Sequence, residues 1–219
     1  MLKQAKIKQS DDKAWLYSTE VKKHFFNPQN VLLAGEEEKY QADAIGKVGS
    51  PACGDEMLIF LKIDPKTEKI LDLKWQTFGC GSAIASTSML STMVLEDGGM
   101  TITEALKISP KDIVDKLGGL PDRKIHCSVL GDQALLRAIN NWFLKTGQID
   151  RIILRGQKII DEKNKITAEM IEDFALNDIN TLSAIKEKLK ITELTSETEK
   201  KIQEVLDKLN QEEKQYYED

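Results

Sequence analysis

The sequence predicts an α+β fold: a small antiparallel three-stranded sheet packed on helices, with a small all-helical appendage at its C-terminal side. Three observations lead there. Two alternating apolar runs, 57–63 and 70–78, flank the turn-rich segment Asp64-Pro-Lys-Thr-Glu-Lys69, which is the patterning of a hairpin. Two longer stretches, 82–95 and 128–144, carry apolar residues at helical spacing. Beyond Lys145-Thr-Gly-Gln148 the chain turns charged, poor in glycine and free of cysteine.

The N-terminal residues 1–12 hold charges but no apolar run, and no stretch of the chain approaches the roughly 20 apolar residues that a bilayer span needs. A cytoplasmic protein with no membrane partner is expected. Tyr40 to Val48 reads as an outer strand whose extent is blurred by Gly46 and Gly49. In the second hairpin run Leu71, Leu73 and Trp75 are predicted to face the core, while Asp72, Lys74 and Gln76 face water. The helix from Ser82 is rich in small residues and stops at Asp97-Gly-Gly99. The helix after it carries a core stripe of Leu130, Ala134, Leu135, Ala138, Ile139 and Trp142. A domain boundary is expected at the break, giving a first domain over 1–147 and a helical extension over 148–219. In the extension three helical patterns follow Thr167, with Thr181 and Thr195 or Ser196 as caps. The charged end, Lys200 to Asp219, is expected to fray.

A chain of 219 residues with 41% hydrophobic content suffices for one sizeable core plus an appendage. Its formal net charge of -5 gives no basic footprint, so nucleic acid is excluded as an expected partner. Three cysteines, an odd number, argue for reduced thiols rather than a disulfide framework.

Each cysteine sits among glycines and polar residues rather than in an apolar stripe. They are Cys53 in Ser50-Pro-Ala-Cys-Gly-Asp-Glu-Met57, Cys80 in Thr77-Phe-Gly-Cys-Gly-Ser-Ala-Ile-Ala-Ser86 and Cys127 in Lys124-Ile-His-Cys-Ser-Val-Leu130. Cys80 and Cys127 each stand just ahead of a helix, where unpaired backbone N–H groups favour a thiolate. His126, Lys124 and Arg123 add polarising groups beside Cys127. Asp55 follows Cys53 at a spacing of two, so a thiolate and a carboxylate share one loop. Three thiolates with one carboxylate or imidazole suit iron–sulfur clusters or zinc. A lone oxygen ligand on glycine-rich loops holds a cluster loosely, and the Cys-x-x-Cys spacing of a permanent carrier is absent. His24 reads as a packing or capping histidine, and Trp15, Trp75 and Trp142 as core or partner-surface residues.

With the upstream segment Val21-Lys-Lys-His-Phe-Phe-Asn-Pro-Gln-Asn30, these three motifs closely resemble the IscU/NifU iron–sulfur cluster scaffolds over roughly residues 15–144, in the family's order and spacing. The resemblance implies a transient 2Fe-2S cluster built on Cys53, Cys80 and Cys127, with Asp55 keeping it labile. It implies His126 as an alternative ligand and Cys127 as persulfide acceptor, with Lys124 polarising the site or meeting the sulfur donor. Zinc suits the same ligands in the cluster-free form. The implied partners are a pyridoxal-phosphate cysteine desulfurase of the NifS/IscS type, an electron donor such as a ferredoxin, apo iron–sulfur acceptor proteins and, as an open alternative, a second copy in a homodimer. A scaffold is expected, not an enzyme. The rivals are a cysteine-dependent sulfurtransferase, with Cys127 as nucleophile and His126 as base, and a zinc-binding regulator of the desulfurase.

Two departures stand out. The chaperone motif Leu-Pro-Pro-Val-Lys of the IscU branch is replaced by Leu120-Pro-Asp-Arg-Lys124, which fits the NifU branch better. The tail resembles the NifU central 2Fe-2S domain stripped of its four cysteines: Asp161 and Lys163 fall at the Cys-x-Cys positions, and Thr195 and Thr198 at the later Cys-x-x-Cys. An interaction or spacer role is then expected for it.

Overall fold

A computed structural model of the chain describes residues 17–50, 55–121, 126–175 and 179–218, with side chains throughout these except at 50, 55, 126–129 and 210–218. Its centre is the sheet β1 (Ala44–Ser50), β2 (Asp55–Ile63) and β3 (Ile70–Thr77), antiparallel in the order β1-β2-β3. Met57, Ile59, Leu61 and Ile63 alternate onto one face of β2 and are all buried, which fixes the register.

One expectation on β3 is corrected. Pairing runs from Met57↔Thr77 to Lys62↔Asp72, then shifts so that Ile63 meets Ile70. Leu71 is therefore the surplus residue of a bulge, which breaks the alternation. Ile70 turns inward and is 0% exposed, whereas Leu71 is 59% exposed and leaves the core. The outer face is also drier than its polar residues imply. The short helix α2 (Glu37–Tyr40) lays Tyr40 edge-on against Phe60 at 6.5 Å, and Lys62 sits 4.8 Å from the same ring, so Phe60 is buried.

On the inner face lie α3 (Gly81–Leu95) and α6 (His126–Lys145). Serines and alanines make α3 slim enough to sit between the sheet, α6 and α1 (Thr19–Phe26), and eleven of its fifteen residues are buried. Its hydroxyls find partners there. Ser88 bonds to His24 Nδ1 at 2.7 Å and accepts from Gln29 N at 2.8 Å, which makes His24 a packing histidine as expected. Burial and neighbouring Lys23 hold its imidazole below the ordinary range, against the opposing pull of Glu20. Two short helices close the lower edge: α4 (Ile102–Ala105) and α5 (Pro110–Lys116), each with a reciprocal capping box, Thr101 with Glu104 and Ser109 with Asp112.

Beyond α6, Gly147 adopts φ +75° and the chain turns back. The extension holds α7 (Ala168–Ala175), α8 (Leu182–Leu189) and α9 (Ser196–Glu218), and it also contains a short ladder, β4 (Ile159–Asp161) with β5 (Ile166–Thr167). Thr181 caps α8 through Ala184 N at 3.3 Å, and Thr195 accepts from Thr198 N at 3.2 Å. The charged tail, expected to fray, is helical as far as Glu218. Ile152, Ile166, Ile171, Phe174, Ile202 and Leu206 join the same buried cluster as the sheet and α3. Polar ties reinforce the junction. Asn140 bonds Ile153 in both directions, at 2.8 and 3.0 Å, Arg137 meets Glu169 at 3.3 Å, and Arg151 pairs with Glu68 in the β2–β3 loop. Asp173 lies partly buried on α7, where burial pushes its carboxyl up to about 7 despite Arg137 and Lys145.

Candidate functional site

Cys80 is the one predicted ligand whose side chain is described. It is the N-cap residue of α3, with φ -70° and ψ 168°, and its carbonyl accepts from Ile84 N at 3.1 Å. Its thiol is partly exposed, forms no disulfide and does not cap the helix. Gly81 follows because a Cβ there would stand 3.0 Å from the Phe25 ring of α1. Tyr17 bonds Ser82 Oγ at 2.9 Å on the same side.

The segment leading to Cys80 is folded back onto the start of β2. Phe78 N donates to Glu56 O at 3.1 Å, and Thr77 Oγ1 donates to the same carbonyl at 2.6 Å. Gly79 N in turn donates to Thr77 Oγ1 at 2.9 Å. Glu56 is buried and pairs with Lys47 of β1 at 2.6 Å. Asp55, its neighbour, pairs with Ser50 as the last rung of β1–β2.

The start of α6 reaches the same end of the sheet. α6 runs antiparallel along β1: Lys145 Nζ donates to Asp43 O at 3.0 Å, Ile45 N donates to Asn141 Oδ1 at 3.1 Å and Arg137 donates to Lys47 O at 2.5 Å. Three more strand residues, about 10 Å, bring β1 to Ser50 and match six or seven helical residues, about 10 Å of α6. On the other side Gly131 packs on Thr87 and Leu90 of α3. Cys127 is then about 6 Å along α6 from that contact, and Cys80 about 10 Å along α3 from it. Both helix starts and the Asp55 end of β2 therefore share one end of the domain.

The remaining predicted residues stand as follows. Cys53 and Lys124 lie outside the described residues, and for Asp55, His126 and Cys127 the backbone alone is described. Among the described residues no group of three or more His, Cys, Asp or Glu side chains gathers as a metal would need. Sequence reasoning missed Thr77 and the Lys47–Glu56 pair. Thr77 was legible, since a threonine two residues before a glycine is the pattern of a side chain that closes its own turn.

In the extension, Asp161 and Thr198, which the sequence aligned with cysteine positions, do come together. Asp161 accepts from Asn164 N at 3.0 Å, Asn164 Nδ2 at 2.9 Å and Thr198 Oγ1 at 3.2 Å, and Thr198 contacts Thr195 Oγ1 at 2.9 Å. These bonds hold the carboxyl below its ordinary range against the opposing effect of burial. A hydrogen-bonded knot joins the β4–β5 ladder to α9. Among the described residues no helix is long and apolar enough to cross a membrane.

Known proteins resemble a large part of this chain. "Nitrogen fixation protein NifU" of Azotobacter chroococcum is 52% identical over 128 residues, 58% of this chain and 39% of that protein. "Iron-sulfur cluster assembly scaffold protein IscU 1" of Archaeoglobus fulgidus is 49% identical over 137 residues, 63% of this chain and 83% of that one. The NifU of Azospirillum brasilense is 37% identical over 205 residues, covering 88% of this chain and 60% of its own length. The alignment with the Azospirillum protein thus runs well into the extension, while the chain spans much less than the whole of either NifU. The family model described as the NifU-like N terminal domain matches residues 16–148, and the chain belongs to that family.

Proposed function

We propose that this chain is a scaffold on which a transient iron–sulfur cluster, of the 2Fe-2S type, is assembled and then passed to apo-proteins. What carries the reading is the meeting of the Cys80 helix start, the Asp55 end of β2 and the start of α6 at one end of the sheet. The names of the NifU and IscU relatives support it.

Sulfur arrives as the persulfide of a cysteine desulfurase. A thiolate, assigned here to Cys127, attacks the terminal sulfur; the sulfur–sulfur bond of the donor breaks and the donor thiolate leaves. Two electrons from an external donor such as a ferredoxin reduce the transferred sulfur to sulfide, which joins iron held by Cys53, Asp55, Cys80 and Cys127, with His126 as the alternative ligand. Lys124 polarises the site. A carboxylate donor at Asp55 binds iron less firmly than a fourth thiolate, so acceptor thiols compete the cluster away. Zinc takes the same donors when iron is absent. The chain turns over no small substrate, and residues 148–219 serve as a spacer or interaction unit behind the scaffold domain 1–147.

Anaerobic reconstitution with iron and sulfide tests the reading. The wild type is expected to gain visible absorption, and Asp55→Ala to deliver its cluster to an apo-ferredoxin severalfold more slowly. A colourless wild type would leave a sulfurtransferase or a zinc-binding regulator in its place. Transfer by Asp55→Ala at the wild-type rate would remove Asp55 from the mechanism alone.

A further inference from the structure

The three bonds around Thr77 carry the β2–β3 connection past its last rung and into the segment that leads to Cys80. β3 makes its last pair at Met57↔Thr77, and from there the chain leaves the sheet through an exposed Phe78 and a glycine before Cys80 begins α3. A glycine-containing connection of this kind is ordinarily free to sample several paths. Here it is not.

Thr77 Oγ1 uses its hydrogen on Glu56 O, at 2.6 Å, and a lone pair on Gly79 N, at 2.9 Å, while Phe78 N shares the Glu56 carbonyl at 3.1 Å. The carbonyl is itself anchored, because the Glu56 side chain is buried and held by Lys47 on β1. A bracket therefore runs from β1 through the first residues of β2 to the residue before Cys80. Resting on the scaffold reading above, we infer that Thr77 is a positioning residue of the assembly site, one that sets the stance of the Cys80 thiol relative to the Asp55 end of β2 before iron arrives. Ligands held in advance spare the incoming metal the cost of ordering them. The hydroxyl matters because only a group that donates and accepts at once can close both bonds.

The test uses the full chain loaded anaerobically with ferrous iron and sulfide. Cluster half-life is timed against a ferrous chelator, and visible circular dichroism reports the cluster's asymmetry. Thr77→Val keeps the size and β-branching but loses the hydroxyl; it is expected to load, to lose its cluster about 2- to 10-fold faster, the worth of one hydrogen bond, and to show an altered dichroic spectrum. Thr77→Ser restores the hydroxyl and is expected to match the wild type within about twofold on the same scale. A merely structural threonine would change melting temperature and leave lifetime and spectrum alone. A loaded wild type with Thr77→Val indistinguishable from it overturns the assignment while the scaffold reading stands; a colourless wild type overturns both. Should Thr77→Val fail to fold, Thr77→Ser decides: a cluster lost as slowly as from the wild type supports the bracket, and a shortened lifetime overturns it.

Discussion

Gly46→Ala should disturb this protein more than any other change of one methyl group on the sheet, and the reason is the approach of α6 to β1. A Cβ built on Gly46 would lie 2.1 Å from Ala134 O, 2.3 Å from Ala138 N and 2.9 Å from Ala138 Cα. All three are backbone atoms of α6, so no side chain can swing aside. Restoring ordinary contact requires strand and helix to part by about 1 Å, which would loosen α6 from a sheet whose facing residues Ala44, Val48, Met57 and Ile59 are buried. Overpacking of a dense interior costs about 1–3 kcal/mol, and a clash with backbone belongs at the upper end. For a chain of this size about 3 kcal/mol corresponds to a fall in Tm of roughly 6–12 °C. Urea unfolding followed by fluorescence and circular dichroism gives the difference directly, provided the two probes coincide. Gly147→Ala is the control: its φ is +75° and nothing stands within 4 Å, so it carries only the backbone cost of about 1–2 kcal/mol. An unchanged urea midpoint for Gly46→Ala would refute the close helix–strand approach, and with it the path that brings the start of α6 to the site.

Two further outcomes are expected. Because burial holds His24 below its ordinary range, the unfolded chain binds the extra proton first; its contribution is complete above about pH 6.5 and is lost as the pH falls through that value, by at most about 1.4 kcal/mol per pH unit. Asp173, pushed up to about 7, acts in the opposite sense, so the quantity to measure is the difference in unfolding free energy between wild type and His24→Gln at pH 7.5 and 5.5; equal differences at both would dismiss the histidine. On β3, Ile70→Ala should cost about 2–5 kcal/mol and Leu71→Ala under about 0.5 kcal/mol, since the bulge sends one inward and the other to water. The reverse order, with Leu71→Ala the costlier of the two by denaturant midpoints, would mean the strand alternates without interruption.

Much of this was legible before any coordinates. The hairpin, the long helices and the break at Gly147 follow from period, glycine and charge, because those signals are local to the segments that carry them. The ligand candidates stood out because cysteines among glycines and carboxylates are poor core residues. Leu71 was misjudged because alternation assumes unbroken pairing, and a bulge is a property of two strands rather than one. The ladder at Ile159–Asp161 and Ile166–Thr167 is too short to print a period at all.

The amino-acid order by itself determined the central hairpin, the two long helices, the family and the set of thiols, carboxylate and imidazole available for soft-metal chemistry. Only the tertiary structure decided that Gly46 admits α6 onto β1, that Thr77 and Glu56 bracket the approach to Cys80, and that Asp161 meets Thr198 across 37 positions of chain. The division has a physical basis: propensity and reactivity reside in single residues and their neighbours, whereas close approach and hydrogen bonding between distant segments exist only once the chain has paid the entropy of bringing them together.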